Sequence, residues 1–158
     1  KRLTQGGKEF SICKFRTMIQ DAEKEMGARL AAENDERILP VGKFLRRTRL
    51  DELPQLWNIL KGEMSVVGPR PERPELAKKI EEEIPEFSYR LKVKAGLTGY
   101  AQIYGKYNTT SYDKLKLDLK YIRNYSLFLD LRLILMTPKI MFMKESTEGI
   151  MEDDAKEI

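Results

Sequence analysis

Arg46-Arg47-Thr48-Arg49-Leu50-Asp51-Glu52-Leu53-Pro54-Gln55-Leu56-Trp57-Asn58 drives three arginines straight into two adjacent carboxylates, with a proline and an amphipathic apolar run behind them. Pro54 suits the first turn of a helix, where its missing N–H costs nothing. The pattern predicts a helix over residues 53–60, with Leu53, Leu56, Trp57 and Leu60 on one face. Asp51 and Glu52 then fall at or just before the helix N-terminus, facing free backbone N–H groups. That place favours anions, either the carboxylates themselves or a bound phosphate. Two readings stay open on these residues: helix capping beside a solvated arginine face, or a catalytic pair.

Downstream, Lys61-Gly62 stops the helix and Ser65-Val66-Val67 reads as a short buried strand. Gly68-Pro69-Arg70-Pro71-Glu72 follows as a rigid loop, because each proline fixes its own φ and restricts the residue before it. Arg70 is thereby held in extended backbone, a costly way to carry a solvated arginine. Residues 74–83 form a helix with a charged outer face, and residues 86–92 resume helically after Pro85. Gly96 and Gly99, three apart, predict tight turns or close approach to a ligand. Thr110 or Ser111 caps a helix running to about Tyr125. Its apolar face takes Leu115, Leu119 and Ile122, and Asp118 lies on that same face. A carboxylate there is either paired with an internal arginine or functional. Residues 127–143 hold twelve Leu, Ile, Met or Phe in seventeen positions. That run is too interrupted to span a bilayer and suits a core helix pair or helices lying in a membrane interface.

Upstream, Gln5-Gly6-Gly7-Lys8 predicts a hairpin turn and residues 9–15 a short strand. A polar helix is expected from near Thr17 to about Glu33, residues 38–42 read as a break, and residues 43–47 as a short helix. Residues 104–109 read as a polar loop, and residues 145–158 as an acidic tail.

Composition narrows the chemistry. The 158 residues are 41% hydrophobic and 34% charged, with a net charge of +4, which suits one soluble domain and a phosphate-rich ligand or anionic membrane surface. The basic excess is too small to argue for nucleic acid. The chain has no histidine, which removes Ser-His-Asp triads and His-ligated zinc; a single cysteine, Cys13, removes internal disulfides. The groups gathered at breaks are Lys14, Arg16, Arg46, Arg47, Arg49, Asp51, Glu52, Arg70, Glu72 and Lys94. Cations around a carboxylate pair suit a phosphorylated, metal-bound ligand. One carboxylate could hold Mg²⁺ while its neighbour attacks phosphorus, with no histidine required.

Three blocks carry a resemblance: Lys14-Phe15-Arg16-Thr17-Met18, the run from Asp51-Glu52-Leu53-Pro54-Gln55 to Gly68-Pro69-Arg70-Pro71-Glu72, and Gly96-Leu97-Thr98-Gly99-Tyr100-Ala101-Gln102. Together, across residues 5–150, the chain resembles the bacterial sugar transferases. These are the monotopic phosphoglycosyl transferases that begin exopolysaccharide, O-antigen and glycoprotein glycan assembly. The resemblance implies transfer of a phosphosugar from a UDP-sugar to undecaprenyl phosphate at the cytoplasmic face of the inner membrane, with release of UMP. It implies Asp51 as the nucleophile of a covalent phosphosugar intermediate, Glu52 as the Mg²⁺ ligand and Arg70 as a contact to substrate phosphate. Lys14, Arg46 and Lys94 become cations on the phosphate side, and Asp118 and Asp130 acidic residues near the site. Ala95 stands where many members have proline. The family's membrane-inserted helix is expected upstream of Lys1.

The expected fold is helix-rich α+β: a single catalytic domain over residues 1–150, with a few short strands and amphipathic, membrane-interface helices, then the acidic tail 151–158. A homo-oligomer is compatible with it, and nucleic acid is not an expected partner. The alternative function is a non-catalytic scaffold that binds polyprenyl phosphate or anionic lipid.

Overall fold

The computed structural model describes residues 1–20, 22, 35–105 and 109–141. Strands β1 (Arg2–Leu3) and β2 (Glu9–Phe10) pair antiparallel across a 3-10 turn at Gln5–Gly7, in which Gly6 and Gly7 take positive φ. The hairpin is the one predicted, but the second strand is two residues long rather than seven. Residues 11–17 continue extended without a ladder. Their backbone is held instead by Asn58 Oδ1, which accepts from Cys13 N at 2.9 Å, and by the Asp51 carbonyl, which accepts from Phe15 N at 3.0 Å.

Thr17 does not open a helix. Met18 forms an isolated antiparallel bridge with Ile38, and Leu39 N donates to Thr17 O at 3.0 Å. Most of the helix predicted to about Glu33 lies outside the described residues, as do residues 106–108 of the predicted loop and the acidic tail. Helix α1 is Pro40–Arg47, so the expected break at 38–42 is partly its first turn, with Pro40 at a position where no N–H is needed. A Cβ on Gly42 would lie 2.1 Å from the Thr17 carbonyl oxygen, so this glycine lets the helix dock on residues 17–18.

After α1 the chain turns through Arg49, held at φ 57°, into a 3-10 turn at Leu50–Glu52 and then α2 (Gln55–Leu60). The expected helix start is thus displaced. The carboxylate pair sits on its own tight turn and caps nothing. Helix α2 is also inverted relative to an ordinary amphipathic helix. Gln55 and Asn58 are buried, while Leu56, Trp57 and Leu60, and Leu53 just ahead of the helix, are exposed, Leu60 at 79%.

Strand β3 (Ser65–Val67) leads through the proline loop to α3 (Pro74–Glu83) and a long 3-10 segment at Pro85–Lys92. The chain then returns as β4 (Gly96–Thr98), parallel to β3. Helices α4 (Tyr100–Tyr104), α5 (Ser111–Arg123) and α6 (Leu127–Met141) complete a helix-rich α+β domain. Thr110 caps α5, its hydroxyl accepting from Asp113 N at 3.1 Å. Two apolar clusters flank α5: Ala77, Phe87 and Leu115 toward α3, and Val67, Ile103, Tyr121 and Leu133 toward β3, α4 and α6. Residues 127–141 form one helix rather than a helix pair. Leu133 is fully buried, while Leu127, Phe128, Leu131, Ile134 and Leu135 stay exposed.

Gly96 and Gly99 serve close packing of the chain against itself. Neither takes a positive φ. A Cβ on Gly96 would fall 2.1 Å from Gly68 N, and one on Gly99 2.1 Å from Gly68 O. The start of the proline loop is pressed onto β4 by this contact and by hydrogen bonds from Gly68 N to Thr98 O and from Gly96 N to Pro69 O, both 2.9 Å.

Candidate active site

The 3-10 turn carries Asp51 and Glu52 inward, Asp51 to 2% exposure. A buried carboxylate needs a counter-charge or hydrogen bonds, and two cations supply them from distant parts of the chain. Lys14 Nζ lies 3.0 Å from Asp51 Oδ2 and 3.5 Å from Glu52 Oε1. Arg70 takes Glu52 by both guanidinium nitrogens, Nη2 to Oε1 at 2.7 Å and Nη1 to Oε2 at 3.5 Å. Asp51 Oδ1 is buried with no hydrogen-bond partner among the described residues. An orphan carboxylate oxygen beside two half-exposed cations is an electron-rich atom that no donor among the described residues binds.

Burial alone would push the Glu52 carboxyl up. The charge and hydrogen bond of Arg70, then the charges of Lys14 and Arg49, overcome it and take the group down to about 2. Burial works against the Arg70 cation, but Glu52 raises its pKa and keeps it charged. The expected helix-dipole assistance to Asp51 is replaced by Lys14.

A third cation, Arg90, which is buried, orders the loop that carries Arg70. Arg90, from the 3-10 segment, donates from Nη2 to the Arg70 carbonyl at 2.9 Å and from Nε to Asp118 Oδ2 at 3.0 Å; its Nη1 lies 3.5 Å from Glu72 Oε1. Asp118 therefore has the internal arginine partner that was one of its two readings. Burial pushes its pKa up, Arg90 opposes that, and Glu72 adds to it. Sequence reasoning missed Arg90. It sits in a run of mixed charges, and nothing local distinguishes it from the exposed lysines nearby.

Of the residues singled out from sequence, the fold brings Lys14, Asp51, Glu52 and Arg70 into one cluster. Arg46 stands beside it, anchored by Nε donating to Thr17 Oγ1 at 2.8 Å. Asp118 is one link behind, reaching the Arg70 loop through Arg90. Asp130 accepts from the Tyr121 hydroxyl at 2.8 Å, in the α5–α6 packing. Burial and then Asp130 push that phenol's pKa up. Lys94 is exposed with its ammonium beside Gly62, at the far end of α2.

No three His, Cys, Asp or Glu side chains cluster as a metal cage among the described residues. The donor at hand is the ionised Glu52 carboxylate. One carboxylate could hold a Mg²⁺ ion that completes its shell with water and substrate phosphate oxygens, the usual habit of this cation.

The family model for bacterial sugar transferase matches residues 1–144. Over 139 residues the chain is 42% identical to the UDP-N-acetylgalactosamine-undecaprenyl-phosphate N-acetylgalactosaminephosphotransferase of Aeromonas hydrophila, covering 86% of this chain and 33% of that protein. It is 42% identical over 137 residues to the UDP-glucose:undecaprenyl-phosphate glucose-1-phosphate transferase of Xanthomonas campestris, covering 84% and 28%. It is 35% identical over 160 aligned positions to the undecaprenyl-phosphate galactose phosphotransferase of Salmonella typhimurium, covering 92% and 33%. The chain thus spans about a third of the length of these relatives.

Proposed function

The chain belongs to the bacterial sugar transferase family, and on that premise we propose that it transfers a sugar phosphate from a UDP-sugar to undecaprenyl phosphate through a covalent aspartyl intermediate. The observation that carries the nucleophile assignment is the orphan Oδ1 of Asp51, buried beside Lys14 and next to the Arg70-clamped Glu52. In the first step an Asp51 oxygen attacks the phosphorus attached to the sugar. The bond from that phosphorus to the bridging oxygen breaks, and UMP leaves with the electron pair. In the second, a phosphate oxygen of the polyprenyl acceptor attacks the same phosphorus and the Asp51 carboxylate departs unchanged.

Lys14 and Arg70 reach solvent, with side chains 39% and 44% exposed. They can therefore meet phosphate oxygens while still touching the carboxylates. That arrangement places fixed positive charge where negative charge develops. Glu52, with substrate oxygens, would hold the Mg²⁺, which when bound supplies Lewis-acid stabilisation of the phosphate oxygens. The reading includes work at the cytoplasmic face of the inner membrane; the undecaprenyl phosphate acceptor named for the relatives and the exposed apolar side chains on α2 and α6 support contact with a membrane surface. No helix among the described residues is long and apolar enough to cross a membrane.

The three relatives are named for three different sugars. The test is therefore UMP release from a panel of UDP-sugars with undecaprenyl phosphate and Mg²⁺. The wild-type chain should release UMP and, with a radiolabelled sugar phosphate, become labelled; Asp51→Asn should do neither. A turning-over Asp51→Asn variant overturns the covalent route. Lipid binding by the wild type without UMP release would favour the scaffold alternative.

A further inference from the structure

Residues 11–15 lie outside both sheets formed by the described residues, yet they carry Lys14 Nζ to 3.0 Å from Asp51 Oδ2. An extended segment outside a sheet has no ladder to fix its register. The Asn58 side chain supplies one. Asn58 is 1% exposed, and its carboxamide makes three hydrogen bonds. Nδ2 donates to Ser11 O at 2.9 Å and to Glu63 Oε2 at 2.7 Å, and Oδ1 accepts from Cys13 N at 2.9 Å. Acceptors around the nitrogen and a donor at the oxygen fix which way round the amide sits. A residue of a parallel strand does the same with its peptide groups, donating to the carbonyl before its partner and accepting from the N–H after it. The amide of Asn58 thus stands in for a strand residue opposite Ile12. Two residues further on the backbone takes over, where Phe15 N donates to Asp51 O at 3.0 Å. Ser11, Cys13 and Phe15 all turn backbone groups toward α2 and the 3-10 turn before it, at the two-residue spacing of extended chain.

We propose that Asn58 is a positioning residue of the reaction: it sets the register of residues 11–15 on α2 and so delivers the Lys14 ammonium to the nucleophile. The proposal rests on the transferase reading and adds to it a residue that acts through Lys14 and not on substrate. A slip of one residue moves an extended chain by about 3.3 Å and turns its side chains to the other face. That step is longer than the 3.0 Å contact it would break. It would bring Cys13 or Phe15 toward Asp51 in place of Lys14, and neither can offer a positive charge. Only an amide of this length suits the task. Aspartate keeps the acceptor for Cys13 N but loses both donors and sets a carboxylate against Glu63. Leucine keeps the volume and neither polar group. Glutamine carries its amide one methylene too far.

The test uses Asn58→Leu and Asn58→Asp in the full chain, alone and combined with Lys14→Met. Rates are read as single-turnover UMP release per folded molecule, so that slow variants stay measurable. Each Asn58 variant alone should lose about ten- to a hundredfold, the scale of a small misplacement of a catalytic group. In the Lys14→Met background the same changes should cost about twofold at most, because the group that Asn58 positions is already gone. Losses that multiply in full make Asn58 structural only and overturn the inference. Cys13 is the one cysteine of the chain, so its reaction with DTNB reports whether the segment stays on α2, with no turnover needed. Labelling should be roughly tenfold faster in both Asn58 variants. In the unaltered protein the amides of Cys13 and Phe15 should be protected from hydrogen exchange as those of a paired strand are. That readout holds even where a variant folds poorly. Unprotected amides, or wild-type labelling rates in both variants, overturn the inference. Protection with faster labelling, in a chain that releases UMP from no UDP-sugar, keeps Asn58 as the fastening of Lys14 and rejects the transferase reading. Turnover indifferent to Asn58 does the reverse.

Discussion

At Glu52, burial and charge pull in opposite directions, and charge wins. The carboxyl titrates near 2 in the folded chain against an ordinary value of 4.5. Its folded pKa is depressed, so the stability it contributes is fully present above pH 4.5 and drains away as pH falls toward 2. With allowance for solvent around the 44% exposed Arg70 side chain, that contribution is on the order of 2–3 kcal/mol. Urea unfolding of the metal-free protein should therefore show an acid-labile component between pH 4.5 and 2 that Glu52→Gln lacks. An identical acid profile in the variant would place the dependence elsewhere. Arg90 makes a sharper case of the same physics, since both it and Asp118 are buried. Arg90→Leu should cost about 3–5 kcal/mol by stranding Asp118, and the double change Arg90→Leu, Asp118→Leu should recover much of that in urea midpoints. The cluster residues Lys14, Asp51, Glu52 and Arg70 were legible in the sequence because they stand at breaks beside prolines or paired charges. Arg90 was not, because its role exists only through contacts 18 to 28 residues away with Glu72, Arg70 and Asp118.

Helices and strands tell a similar story with one inversion. Helix α3 matches the predicted span, α5 is capped by Thr110, one of the two caps expected, and β3 falls on Ser65–Val67. Propensity, capping and proline placement are local, so a single sequence displays them. The apolar periodicity of residues 53–60 was equally visible, but periodicity says which residues share a face and not which way that face turns. Here Asn58 decides. Its amide donates to Ser11 O at 2.9 Å and Glu63 Oε2 at 2.7 Å and accepts from Cys13 N, fastening residues 11–13 to the inner side of α2. That contact brings Lys14 to Asp51 and leaves Leu53, Leu56, Trp57 and Leu60 outside. The glycine spacing was read as tight turns or close approach to a ligand; the close approach is there, but the neighbour is the backbone of Gly68. Gly96→Ala should therefore be disruptive even though alanine is small and the φ is permissive. Its Cβ meets a backbone nitrogen at 2.1 Å, and backbone cannot rotate aside. A loss at the upper end of the 1–3 kcal/mol typical of overpacking is expected, or about 3 kcal/mol in thermal or urea unfolding. A wild-type midpoint would mean that β4 and the proline loop separate freely.

Across the whole molecule, polar chemistry is gathered inside while large apolar side chains stand outside, on two helices that sequence reading had already marked. On α6 the exposed Leu127, Phe128, Leu131, Ile134 and Leu135 fall within an arc of roughly 120°, opposite the buried Leu133. Arg132 and Lys139 are exposed on the same helix, and Lys61 closes the apolar face of α2. Apolar side chains edged by cations suit the surface of an anionic bilayer, where the rings and branched chains enter the headgroup boundary and the cations meet lipid phosphates. Phe128 and Leu135, at 79% and 78% exposure, bury almost nothing within the protein. Replacing both with serine should leave the melting temperature unchanged. Full burial of one such side chain is worth roughly 1.5–3 kcal/mol, and partial immersion of two should still weaken partition onto phosphatidylglycerol vesicles by tenfold or more. Added salt should weaken the remaining binding further, because the cations act through screened charge. If Phe128→Ser, Leu135→Ser binds vesicles as the wild type does, the α6 face does not meet lipid and attraction of the charged residues alone accounts for the association. If the double variant binds poorly yet still binds UMP with wild-type affinity, membrane attachment and nucleotide recognition are separate properties of two faces of one small domain.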